Sequence, residues 1–267
     1  MNMIVFEIRR RLVPVLIWGA AICLTLWGFV AGAYPYYGRS TAAIRKVMEG
    51  FPKGFDAFFG VDIQILFSFG GFYSFVFTYI SLLTAILMLY LGISLFSEEK
   101  RAGCTDFLMT KPLSRERAFA NKTAAGLLML LLVSVLYGTV NLALYVKFSN
   151  ESGVTVRHLL LGSLSMGMTG LVFYGIGILY ATVVNRVRNV GGTATLLGFA
   201  FFILSAVIGL LDKKVLNYFA LLRYFEPYTV FRSGTYQADR IAAGTVVLII
   251  CLVISCKIYV SRDVRTI

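Results

Sequence analysis

Hydrophobic residues fall along this chain in six runs of about twenty, the length of helix that crosses the hydrocarbon core of a bilayer, and the polar residues gather between them. The runs cover about 14–34, 72–96, 123–146, 159–184, 190–211 and 241–260, and each is expected to be a transmembrane helix. Residues 1–13, MNMIVFEIRRRLV, follow another pattern. As a helix they set Ile4, Ile8 and Leu12 along one side, apart from three arginines, as in a helix lying flat in the headgroup layer. Pro14 suits the start of the first span, where a missing N–H does no harm. The expected fold is an all-α polytopic membrane protein, a single transmembrane domain over 1–267 with an interfacial helix ahead of six spans.

Composition agrees with that class. The 267 residues are 58% hydrophobic and only 14% charged, well below the roughly 25% of a soluble domain. The net charge of +12 does not point to nucleic acid, because the longest basic run is Arg9-Arg10-Arg11 and basic residues accumulate in the inner loops of membrane proteins. With both termini inside, the inner segments carry 14 Lys and Arg and the outer loops 11, although the inner segments are the shorter set. Both termini are therefore expected in the cytoplasm. The outer stretch 35–70, with Phe51, Phe55, Phe58 and Phe59 close together, and the stretch 212–240, broken at Pro227, are expected to rest on the membrane surface.

Several chemistries are excluded by what the spans lack. Their cores hold no Asp, Glu, Lys, Arg or His, so an ion-coupled transporter has no intramembrane group to work with. The sole histidine, His158, sits at a span edge, which leaves an intramembrane protease without its machinery. There is no GxxxxGK[ST] phosphate loop, so this chain cannot bind ATP by that route and is not expected to be an enzyme itself. Cys23, Cys104, Cys251 and Cys256 lack metal-ligand surroundings, and no metal site is expected. What the spans offer instead are small, neutral stripes at helical spacing. Ser74, Thr78, Ser81, Ala85 and Gly92 lie on one face of span two, and Gly191, Thr195, Gly198, Phe202, Ser205 and Gly209 on one face of span five. Such stripes let helices approach closely. The other reading makes Ser74, Thr78, Ser81, Ala85, Thr195, Gly198, Phe202 and Ser205 the lining of a pathway between two subunits, suited to an amphipathic or apolar substrate.

The one substantial charged interruption is 97–122, SEEKRAGCTDFLMTKPLSRERAFANK. Residues 101–110 can form about two helical turns that project Phe107 and Leu108 away from Lys100 and Lys111, apolar knobs for a groove on a soluble partner. Pro112 stops that helix, and Ser114 can cap the next one.

This order resembles the first cytoplasmic loop of the ABC-2 type permeases, the membrane subunits of bacterial ATP-binding-cassette exporters. The resemblance rests on Glu98, Glu99, Gly103, Thr105, Asp106, Leu108, Pro112, Ser114, Arg115 and Lys122, with weaker matches at Pro52, Gly60, Pro227 and the tail Arg262-Asp263. Cys104 departs from it, separating Gly103 from Thr105 where many members place Gly and Thr side by side. The resemblance implies that the helix around 103–109 is a coupling helix seated on an ATP-binding subunit, with Glu98 and Glu99 at the cytoplasmic end of span two passing its motion on. Phe107, Leu108 and Arg115 belong to the same docking surface. It further implies a homodimer of this chain with two ATP-binding subunits in a bacterial cytoplasmic membrane. ATP and magnesium would sit on the partner and no cofactor on this chain. The compact layout is most similar to the exporters of antimicrobial and cytolytic peptides such as phenol-soluble modulins. Export of lipid or polysaccharide, and a membrane scaffold or sensor that only recruits a partner, are the alternatives.

Overall fold

A computed structural model describes residues 3–39, 68–102, 114–148, 155–184, 186–211 and 215–261, with the side chains of 37–39 and 99–102 outside the description. The described residues form seven principal helices. Six are long and apolar enough to cross a membrane. Helix α1, Met3–Leu26, runs on through a π-helical stretch, Trp27–Ala33, into a last α-helical segment, Tyr34–Arg39. Then come α2, Phe69–Ala102; α3, Arg115–Phe148; α4, Val156–Val183; α5, Val190–Leu211; the short α6, Pro227–Ser233; and α7, Ala238–Ser261.

The flat helix expected over 1–13 is not a separate element. The chain is helical from Met3 through Pro14 without a break. Pro14 removes one backbone donor, a loss a long helix can carry when packing holds both sides. Here Glu7, Arg11, Val15, Gly19 and Ile22 form one buried stripe that crosses the proline. Ile4 and Ile8, expected on the apolar side of a flat helix, pack partly against the protein core.

Side-chain bonds fix how the helices run. Arg11 reaches Glu98, Lys122 reaches the carbonyl of Leu95, and Arg115 reaches the carbonyl of Val260. These contacts gather the start of α1, the end of α2, the start of α3 and the end of α7 at one end of the bundle, here the terminal end. At the opposite end Lys147 reaches the carbonyl of Ala31, and Tyr73 reaches Asn141.

Helix α2 is the most enclosed of the six spans and α4 the next. The two run in the same direction and touch backbone to backbone. A Cβ on Gly92 would lie 2.8 Å from the carbonyl carbon of Gly177 and 2.8 Å from the carbonyl oxygen of Tyr174, and one on Gly177 would lie 2.9 Å from the carbonyl oxygen of Leu89. Lipid supplies no hydrophobic force between helices, so close contact of this kind is a main source of their association. Other small residues make notches for large ones: Gly162 for Tyr73, Gly126 for Tyr174, Gly170 for Leu130, Gly198 for Ile86 and Gly70 for Phe231. Toward the opposite end, Tyr34 of the span-one helix packs with Phe69, Phe72 and Phe148.

Tyr73, Tyr137 and Asn141 form a buried polar knot among these apolar surfaces. The Tyr73 hydroxyl donates to Asn141 Oδ1 at 2.9 Å, and Asn141 Nδ2 donates to Ser163 Oγ at 2.9 Å, so each group of this knot finds a partner. Gly92→Ala should lower stability by about 2 kcal/mol, since the added methyl meets backbone that cannot step aside. Gly191→Ala, where the nearest atom is 3.8 Å away, should leave it unchanged. Thermal unfolding of the two purified variants in lipid checks the contrast.

Candidate functional site

The terminal end carries a junction of buried charges. Glu7 and Arg11 are one helical turn apart on α1 and pair with each other. Arg11 also pairs with Glu98 of α2, donates through Nε to Ser94 Oγ at 3.0 Å and through Nη2 to the Ser94 carbonyl at 3.2 Å. Arg10 takes the other oxygen of Glu98. The side chains of Arg11 and Glu7 are only 4% and 9% exposed, whereas Arg10, at 53%, faces outward. Removing charges from water is costly, and such a junction persists only when its hydrogen bonds are filled. Two carboxylates and two guanidiniums balance here, and the planar fork of Arg11 holds both acids at once.

Beside this junction Lys122 is buried. Its Nζ donates to the Leu95 carbonyl at 2.7 Å and lies 5.7 Å from the centre of the Phe96 ring, which packs against Phe119 and Tyr259. Tyr174 of α4 donates to the carbonyl of Lys122 through the notch at Gly126. The end of α2 is thus tied to α1 by ion pairs and to α3 by a lysine, and α3 is tied to α4 by a tyrosine.

Of the residues named for docking, the structure places Glu98 in this junction. Ser114 stands at the start of α3, where its Oγ accepts from the Arg117 N–H at 3.4 Å, as a capping serine does. Arg115 donates to the Val260 carbonyl of α7 at 3.2 Å. The backbone of α2 continues past Glu98 and Glu99 to Ala102, beyond the end expected for span two. Gly103, Thr105, Asp106, Phe107, Leu108 and Pro112, with the expected coupling helix, lie outside the described residues, as do the side chain of Glu99 and the aromatic stretch 40–67.

Helix α5 packs on α2 within one chain, with Gly198 against Ile86, a residue outside the α2 stripe, while Gly92 of that stripe faces α4. Ser74, Ser81, Ala85 and Ser205 are buried, Thr78 and Phe202 are partly buried, and Thr195 is exposed. The hydroxyls of Ser74, Thr78 and Ser81 donate to carbonyls of their own helix. Ser205 Oγ has no partner among the described residues.

Glu7 and Arg11 are not singled out by the sequence, and Lys122 enters there only as a position of the family resemblance. One signal was present: Ile4, Glu7, Ile8, Arg11 and Val15 recur at helical spacing on one face, and oppositely charged residues four apart within an apolar stripe mark a buried pair.

A sequence model of the ABC-2 family transporter proteins matches residues 1–261, and the chain belongs to that family. It is the permease, or membrane subunit, of an ATP-binding-cassette transporter, a class that works with an ATP-binding subunit. No curated protein and no solved structure matches the chain. Arg11→Met, which strands Glu7 in a buried position, should destabilise the protein by about 3 kcal/mol. Substituting Glu7 and Arg11 together by Leu and Met should recover much of that loss, as unfolding of the two variants in lipid would show.

Proposed function

We propose that this permease is the membrane half of an ATP-driven exporter that moves amphipathic peptides or other hydrophobic compounds out of a bacterial cell. Two copies of the chain form the membrane unit, the terminal end faces the cytoplasm, and two separate ATP-binding subunits dock on the segment 97–122. The observation that carries this reading is the position of Glu98: it stands near the end of the most enclosed helix, held by the buried Arg11, one residue into that segment. A displacement applied there acts on α1 through Arg11 and on α3 through Lys122, and α2 carries it along the backbone contact at Gly92 and Gly177. With no phosphate loop in the sequence, energy has to enter from another protein, and this is where the chain can receive it. The substrate class follows from spans without central charge and from the aromatic packing of Tyr34, Phe69, Phe72 and Phe148 toward the outer end. A charged solute without an apolar face would gain nothing from such surroundings.

Replacing Phe107 and Leu108 together by Asp should abolish co-purification with the ATP-binding subunit, because two charges would enter an apolar groove. An intact complex with unchanged ATP hydrolysis would show that docking lies elsewhere. In the unaltered complex, ATP hydrolysis should rise with cationic amphipathic peptides and not with hydrophilic ones of equal length. A flat response across such a panel would remove the substrate class.

A further inference from the structure

The π-helical stretch in span one, Trp27–Ala33, ends just before a proline. At its end the Tyr34 N–H bonds to the carbonyl five residues back, Phe29. The next residue, Pro35, has no N–H. The carbonyls that position 35 could otherwise serve, Val30 five back and Ala31 four back, therefore receive nothing from it. Val30 and Ala31 are buried at 0% and 5% exposure, so an unfilled carbonyl there would be costly.

One replacement donor is on α3. Lys147 Nζ donates to the Ala31 carbonyl at 2.9 Å, across 116 residues of sequence. The same ammonium lies 5.6 Å from the centre of the Trp27 ring and 5.7 Å from that of Phe148, so it is held over two aromatic faces while it makes the bond. A lysine in the last turn of a helix ordinarily complements the carbonyls of its own helix. Lys147 reaches across to another helix. Trp27 and Ala31 are four residues apart, so Lys147 holds the π-helical stretch at its first residue and again at Ala31. Around Gly28 and Gly32 no side chain or backbone lies within 4 Å of a Cβ, so packing at those two positions does not impose the wider winding.

We propose that Lys147 is a positioning residue that supplies from α3 the hydrogen bond denied by Pro35 and so fixes the outer end of span one in its π-helical form. This inference is independent of what the permease moves.

The test is a double-substitution cycle on the full-length chain in lipid nanodiscs, read as apparent Tm: the unaltered protein, Lys147→Met, Pro35→Ala and the pair. Lys147→Met should lower Tm by several degrees, and Lys147→Arg, which keeps a donor and a charge, by less. Pro35→Ala restores a backbone N–H next to these carbonyls. It should raise Tm more in the Lys147→Met background than in the unaltered protein, recovering at least half of the loss. Equal shifts in the two backgrounds would overturn the proposal, because Lys147 would then act only as an interfacial cation over Trp27. So would an unchanged Tm in Lys147→Met. If Lys147→Met alone does not accumulate in the membrane, recovery of the protein on adding Pro35→Ala is the supporting result, and failure to recover it is the contrary one.

Discussion

The structure depends on two helices that touch without side chains between them. Gly92 on α2 and Gly177 on α4 leave no room for a methyl group on either helix. In water a bundle can be drawn together by burying apolar surface, but lipid is as apolar as leucine, and association has to come from dispersion at short range and from hydrogen bonds. The contact therefore does more than save space. It makes α2 and α4 one close pair, around which α3, α5 and α7 are placed by notches of the same kind: Gly126 for Tyr174, Gly198 for Ile86 and Gly175 for Leu248.

The two ends of this pair are finished differently. At the terminal end charges do the joining, with Arg11 shared between Glu7 and Glu98 and Lys122 set on the Leu95 carbonyl. At the opposite end the joining is mixed: the Tyr73, Tyr137, Asn141 and Ser163 knot, the packing around Tyr34, Lys147 on the Ala31 carbonyl and Arg240 on the Asn217 carbonyl. Ion pairs are strong, directional and intolerant of partial separation in low dielectric.

The six spans were legible because an apolar run of about twenty residues has few other uses. Span five coincides with its helix, Val190–Leu211, because Asn189 marks the start plainly: its Oδ1 accepts from the Gly192 N–H at 3.0 Å. The other boundaries moved outward where charged residues continue a helix that hydropathy alone would end, as α1 does at Met3 and α2 at Ala102. Family membership was readable from the loop 97–122, whose residues from Gly103 to Leu113 lie outside the described part of the chain. What the sequence hid depends on partners distant along the chain. Nothing local to Arg11 announces Glu98, 87 residues on, and nothing local to Pro35 announces Lys147. The stripe on α2 was visible, but only the packed structure shows that Ser74, Ser81 and Ala85 are buried inside one chain.

The central claim is that force enters through the segment 97–122. A photo-activated cross-linking amino acid placed at position 107 tests it most directly, in cells that co-produce the ATP-binding subunit. The account predicts a covalent adduct of the two proteins from position 107 and none from position 219, where Phe219 is exposed on the connection between α5 and α6, at the end opposite the termini. Absence of the adduct from position 107, or its formation from position 219, would contradict the account.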